Sequence, residues 1–529
     1  MTDLLERRSQ HLGGLARAEP LDVLVVGGGI NGVGVLLDAV TRGLSAALVE
    51  RDDLAVGTSS RSSKLIHGGL RYLEHLDFGL VREALRERDL LVGLAPHLVT
   101  LRRFAVPVVG GRWQLPYIGS GLTLYDLLGG RKGGRFETLS RAEIARRLPH
   151  LDPAEAVGGF EYTDGVCDDA RFVVAVAETA RRRGAGVLTQ AEARTPRRVG
   201  DRWEVAVVDR LGAGEVTVRA RSVVDVTGAF EADSPFGDMN LTASRGVHLV
   251  VAGVHFSGAT GLTVRVPGRV VFVIPWGRRW LIGTTDEAHD GPIDRPSAST
   301  HEVDYLLDAV NEVLAERLER SDVIATFAGV RPLAGGGQDD TVSASREHTI
   351  SHDGRGLVSV RGGKYTTYRL IAAEVVDEVC SFLGVERVSV TERTPLVGAA
   401  SPAVLDEVDD LTKRGLSEVS ARWLVGRHGV EAAHVLAVGT EVGMGGLLHP
   451  DMPYLEADAW WAIHREGALT LDDVLARRTR LAIETADHGL AAAPLVARLL
   501  GDVHGWAPAD VELAVATYAA SAEREYGVP

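Results

Sequence analysis

The sequence predicts an α/β protein built from a parallel-sheet domain, an inserted antiparallel sheet and a C-terminal helical region. Three observations predict it. An apolar run, a glycine-rich turn, an amphipathic segment and a second apolar run follow one another over residues 21–50, paired apolar runs flank Trp276-Gly277-Arg278, and helical periodicity dominates from about Pro402. Length agrees, because 529 residues at roughly 100–200 per domain imply about three domains. Apolar residues make up 45% and charged residues 24%, with 61 Gly against 20 Pro, which excludes a disordered chain.

Leu21 to Val26 reads as a buried parallel strand, and Gly27-Gly28-Gly29-Ile30-Asn31-Gly32 follows it directly. Val33, Leu36, Leu37 and Val40 then share one helical face, the helix ends at Gly43, and Ser45 to Val49 forms a second strand closed by Glu50. This is a Rossmann-like βαβ unit. Glycines in the pattern Gly27-x-Gly29-x-x-Gly32 let backbone approach a pyrophosphate, the helix N-terminus favours its negative charge, and Glu50, 18 residues past Gly32, suits a ribose hydroxyl. A dinucleotide is the predicted ligand.

Further on, Ala170 to Arg183 reads as a helix whose N-cap and first turn take Asp168 and Asp169, an acidic pair that capping explains without catalysis. Val187 to Ala193 and Val223 to Thr227 read as strands, the second ending at Gly228. Val270 to Pro275 and Arg279 to Thr284 form a hairpin, Leu357 to Val360 a strand, Gly362-Gly363 a turn, and Tyr365 to Val379 a helix. In the C-terminal region, Trp423, Trp460, Trp461 and Trp506 read as core.

The formal charge, 57 − 72 = −15, repels nucleic acid, so an anionic ligand needs a local basic cluster. Cys167 and Cys380 show neither metal-ligand nor disulfide spacing, which predicts no metal site and a reducing, cytoplasmic compartment. The acids and arginines of the first 20 residues argue against a signal peptide, and no apolar run reaches the roughly 20 residues of a spanning helix.

Gly57 to Tyr72 (GTSSRSSKLIHGGLRY) is dense in hydroxyls, cations and glycine. With its spacing from Glu50, this run resembles the FAD-dependent, quinone-linked glycerol-3-phosphate dehydrogenases. Gly159-Phe160-Glu161-Tyr162, Asp168-Asp169-Ala170-Arg171, Val271 to Trp276, Ile282 to Asp286, Gly329-Val330-Arg331-Pro332-Leu333 and Gly362 to Arg369 follow in the family's order. The resemblance extends over nearly the whole chain. It implies an FAD-binding domain from 1–95, 150–245 and 335–395, a substrate domain from 96–149 and 246–334, and a helical cap domain from 400–529. It also implies oxidation of sn-glycerol 3-phosphate to dihydroxyacetone phosphate, electrons passing to a membrane quinone, and a homodimer. FAD contacts are expected from Gly27, Gly29, Ile30, Asn31, Gly32, Glu50, Thr58, Ser59, Ser63, Lys64, Leu65, Ala193, Gly228, Gly363 and Thr366.

A dianionic phosphate calls for paired guanidinium groups, and Arg331 and Arg346 match the family's positions. Loss of a hydride from C2 requires a base for the hydroxyl proton and cations for the developing alkoxide, roles divided among His67, Arg71 and Lys364, with Tyr72 lining the substrate site. Three departures stand out: Val226-Thr227-Gly228-Ala229-Phe230 where the family usually reads Ala-Thr-Gly-Pro-Trp, Gly246-Val247-His248 for Gly-Ser-His, and Arg361 where an apolar or aromatic residue is usual.

Between Arg102 and Arg147 nine basic and three acidic residues leave +6, interleaved with Phe104, Trp113, Tyr117, Ile118, Leu122, Leu124 and Tyr125. This pattern predicts peripheral contact with the inner face of the cell membrane. The alternatives are a glycerol-3-phosphate oxidase that reduces oxygen and a flavin-binding protein without catalysis.

Overall fold

The computed structural model describes residues 4–529 except 18, 75, 110, 131, 153–155, 213, 234, 235, 237–241, 257, 268, 290, 334–347 and 400–403. The first sheet runs, edge to edge, through His348–His352, Leu357–Gly362, Gly214–Asp225, Leu21–Val26, Ala46–Val49 and Gly186–Leu188. All but its first pairing are parallel. Leu21–Val26 is apolar without alternation because both of its faces are covered. Val23 and Val25 pack toward the helices Ile30–Thr41, Asp169–Arg181 and Tyr368–Leu383. Leu24 and Val26 pack toward an antiparallel arm built from Ala191–Ala193, Arg202–Asp209 and the outer half of Gly214–Asp225.

That arm corrects one expectation. Val187 to Ala193 is two strands, because Gln190 takes a left-handed φ of 50° and turns the chain out of the parallel sheet. The strand expected at Val223 is longer than predicted and ends at Asp225, with Val226 and Thr227 left as a connection to a short helical turn that begins at Gly228.

The second sheet is antiparallel apart from one pairing and centres on Thr242–Ala252, Gly261–Val266, Arg269–Trp276, Arg279–Gly283 and Val323–Leu333, extended by Val99–Val109 and Ala156–Cys167. The predicted hairpin is present, Trp276 opposing Arg279. Gly277 makes its turn at φ 54°, where a Cβ would also lie 2.4 Å from Trp423. One face of this sheet packs on the helix Thr300–Asn311, and the other on the C-terminal helices. Of the four C-terminal tryptophans Trp461 is buried, and Trp423, Trp460 and Trp506 are half-buried against the apolar clusters, as expected of core.

Candidate active site

A cleft of about 630 Å³ opens where the two sheets meet. Its floor is the glycine-rich turn. Gly27 adopts φ 115°, and a Cβ there would lie 2.5 Å from the carbonyl oxygen of Val226. Glu50 closes one end, its carboxylate accepting from Gly28 N–H at 2.6 Å and Asp52 N–H at 2.8 Å. Burial pushes the Glu50 carboxyl up to about 7 against those two bonds. In the middle, Ser59 Oγ accepts from Ile30 N–H at 2.9 Å. The helix Ile30–Thr41 carries no acid in its first turn, so its positive end meets the cleft without a compensating carboxylate of its own.

The far end holds His67, Tyr72, Arg331, Gly362, Gly363, Lys364 and Thr366. Thr366 Oγ1 accepts from His67 N–H at 3.2 Å, and Phe272 meets the imidazole edge-on at 6.3 Å between centroids. The ammonium of Lys364 lies 3.6 Å from the ring centroid of Tyr72, a close cation–π contact. Arg331 projects from the strand Val323–Leu333, donating to Thr284 Oγ1 at 3.0 Å and to the carbonyl of Thr285 at 3.4 Å, with Asp286 at 3.5 Å. Gly246 makes that pose possible, since a Cβ there would lie 2.2 Å from Arg331 Nη2.

The cleft thus gathers Gly27, Gly29, Ile30, Asn31, Glu50, Thr58, Ser59, Ser63, Leu65, Ala193, Gly228, Gly363 and Thr366 from the expected cofactor set. Lys64 and Gly32 stand apart. Lys64 is fully buried and donates to Asp169 at 2.8 Å, because an ammonium in the core needs an anion more than the cleft needs a cation. Gly32 serves packing, since a Cβ would come within 1.9 Å of the carbonyl oxygen of Gly27. Arg346 and the side chain of Arg71 lie outside the described residues.

Three supporting groups take roles that sequence reasoning does not give them. Tyr125, expected as a membrane anchor, is buried; its hydroxyl donates to Asp164 at 2.8 Å and accepts from Gly68 N–H at 2.8 Å, fixing the turn after His67. Asp164 in turn pairs with Arg88 at 3.1 Å, and burial raises its carboxyl to about 6 against that charge. Arg361, the departure from the family, is buried and pairs with Asp225 at 2.6 Å. The other oxygen of Asp225 accepts from Thr227 N–H and Oγ1 at 3.1 and 2.8 Å, so this pair orients the Thr227-Gly228 wall of the cleft. His248 is stacked on Phe327 and lies 2.9 Å from Ser63 Oγ, behind the cleft wall. Its Gly-x-His motif and the unusual Arg361 were the only local signals, and neither named a partner.

The residues present fit a dinucleotide. A carboxylate stands at one end, a helix N-terminus in the middle, and the buried Oδ1 of the cleft-lining Asn31 has no hydrogen-bond partner among the described residues. Comparison with known proteins agrees. The family described as FAD dependent oxidoreductase matches residues 22–369, and the C-terminal domain of alpha-glycerophosphate oxidase matches 389–511. Glycerol-3-phosphate dehydrogenase of Mycobacterium leprae is 42% identical over 521 residues, covering 96% of this chain and 89% of that one. D-erythritol 1-phosphate dehydrogenase of Brucella abortus is 38% identical, covering 88% and 95%. The structure of the Bacillus halodurans glycerol-3-phosphate dehydrogenase complexed with FAD superposes with a TM-score of 0.80 at 26% identity, covering 98% of this chain and 97% of that one. With an FAD-type cleft, this fold and these relatives along nearly its whole length, the chain belongs to the FAD-dependent glycerol-3-phosphate dehydrogenase family.

Proposed function

We propose that the protein oxidises sn-glycerol 3-phosphate at C2 to dihydroxyacetone phosphate and passes the electrons to a membrane quinone. The observation that carries this reading is one guanidinium, one imidazole and one ammonium around a single end of the cleft: Arg331, His67 and Lys364. All three named relatives are dehydrogenases of a polyol phosphate, in keeping with a phosphate handle beside the reacting hydroxyl.

FAD, when bound, supplies the acceptor for the C2 hydride. Arg331 binds the phosphate, and its bonds to Thr284 and the Thr285 carbonyl hold its fork in one orientation. His67 takes the hydroxyl proton, its ring held by Phe272 and its backbone by Thr366. Lys364, held over Tyr72, offsets negative charge developing on the C2 oxygen. Arg71 and Arg346 remain proposed partners in catalysis and phosphate binding.

Anaerobic addition of glycerol 3-phosphate to the purified protein is expected to bleach the flavin and yield the ketone, whereas glycerol leaves it oxidised. No bleaching by glycerol 3-phosphate rejects the assignment. Because the matched C-terminal family is named for an oxidase, reoxidation is measured with oxygen beside a quinone analogue. Faster reoxidation by oxygen makes the protein an oxidase.

The Glu50 carboxyl gives a pH dependence to cofactor binding. Ribose hydroxyls donate to the ionised carboxylate, so FAD binding releases a proton wherever the empty cleft keeps Glu50 protonated, below about pH 7. The affinity of the apoprotein for FAD should therefore rise roughly three- to tenfold from about pH 5.5 to 7 and then level off. In Glu50→Gln a fluorescence titration should show no such rise.

Membrane attachment is proposed through the helix Gln114–Leu128, on a revised set of residues. Phe104, Ile118, Leu122 and Tyr125 are core, while Trp113 is 71%, Leu127 54% and Tyr117 51% exposed. Arg265 stands over Tyr117 and bonds Glu74, next to the exposed Leu76 and Phe78. Among the local cations, Arg103 and Arg147 are already paired with Glu137 and Glu161, so attachment combines apolar insertion with the charge of the other basic residues. No helix among the described residues is long and apolar enough to cross a membrane. Replacing Trp113, Tyr117 and Leu127 by Ser should abolish flotation with anionic vesicles and lower quinone reduction while dye-linked activity persists. Absence of flotation by the unaltered protein rejects the attachment.

A further inference from the structure

The cofactor segment that follows Glu50 is fastened from outside the cleft by the C-terminal helical region. Arg478 grips Asp53 with two bonds of 2.8 Å, and Arg477 adds a third at 2.7 Å. These side chains are at most 4% exposed. Burial alone would raise the Asp53 carboxyl, yet Arg478 and Arg477 hold it down to about 2. Arg480 bonds the carbonyl of Ser60 at 3.1 Å and pairs with Asp169, the same carboxylate that takes Lys64 and the Ser62 hydroxyl. Arg61 pairs with Glu525 on the last helix, Pro508–Tyr526.

Neither the C-terminal partners nor Asp53 and Asp169 line the cleft, whereas Asp52, Thr58, Ser59, Arg61, Ser62 and Ser63 do. The segment therefore lines the cleft with some residues and binds the C-terminal region with others. A buried charge without its partner is strongly unfavourable, so these contacts form together or not at all, and the segment takes its cleft-lining course only when they are made. Coupling between two sites that share such an element is reciprocal.

We propose that Arg477, Arg478, Arg480 and Glu525 are positioning residues for FAD, through which the C-terminal region sets cofactor affinity and bound FAD in turn clamps the C-terminal region. The proposal rests on the cofactor site alone and is independent of the substrate and electron acceptor.

Hydrogen exchange of the full-length protein, with FAD and after its removal, tests both directions. Loss of FAD should speed exchange in residues 473–484 and 521–526 as well as in 53–64. The helix Ala432–Glu441, which packs in a separate apolar cluster, should not respond. Identical exchange in 473–484 with and without FAD overturns the proposal. In titrations of the apoprotein, Arg478→Met should weaken FAD binding by about tenfold or more. Arg478→Lys, which keeps the charge and loses the fork, should fall between Arg478→Met and the unaltered protein. Glu525→Gln should weaken binding by about threefold or more, and Glu523→Gln, whose side chain is 80% exposed, should not. If Arg478→Met does not fold, Glu525→Gln and the exchange data decide. Unchanged FAD affinity in a folded Arg478→Met or in Glu525→Gln overturns it.

Discussion

In His67→Asn, anaerobic reduction of bound FAD by glycerol 3-phosphate is expected to slow by about two to four orders of magnitude, the range for losing a positioned general base. Asparagine keeps a polar side chain of similar reach but accepts no proton near neutral pH. The main-chain bond from residue 67 to Thr366 survives the change, as does the Tyr125–Gly68 bond that shapes the following turn. The flavin spectrum should therefore stay normal, and stopped-flow reduction isolates the chemical step from quinone binding. A near-normal rate would move the base to Lys364 or to water.

Arg331→Ala is expected to cost about 2 to 5 kcal/mol in kcat/KM, the loss usual when one member of a desolvated charge pair is truncated. Two effects add. The phosphate loses its fork, and the Asp286 carboxylate, which accepts from Ser244 and Arg331, loses a cationic partner. Arg331→Lys should recover only part of the loss, because an ammonium cannot bond Thr284 Oγ1 and a phosphate in the planar geometry of a guanidinium. The defect should fall on turnover of phosphorylated substrates and spare FAD affinity. Unchanged catalytic efficiency would remove Arg331 from the phosphate site.

The sequence offers these two residues through short motifs shared with the family, and the structure places both on the cleft among closely packed glycines. His67 precedes Gly68-Gly69, where a Cβ on Gly69 would lie 2.4 Å from Tyr72. Arg331 follows Gly329, where a Cβ would lie 2.8 Å from the carbonyl oxygen of Arg61. The βαβ unit, the Asp168 cap and the Gly277 hairpin turn were equally legible, since period, capping and turn chemistry act within a few residues. The split of Val187 to Ala193 was not, because a single left-handed residue, Gln190 between Thr189 and Ala191, leaves no mark on periodicity.

From the sequence alone came the fold class and the glycine-rich floor of the dinucleotide cleft, because glycine spacing and hydrophobic period are local consequences of backbone geometry, while most of the other lining residues followed from the family resemblance. Tertiary structure decided which charges serve the cleft and which serve the core. Lys64 pairs with Asp169, 105 residues away, and Arg361 with Asp225, 136 residues away. Asp53 pairs with Arg478, 425 residues away. It also decided that Leu122 and Tyr125 face inward while Trp113 and Tyr117 face out of the same segment. A charge or an aromatic ring has no periodicity that reports its partner. Its role depends on whether the fold brings it an ion, a hydrogen-bond acceptor or water, and that is settled only when distant segments pack.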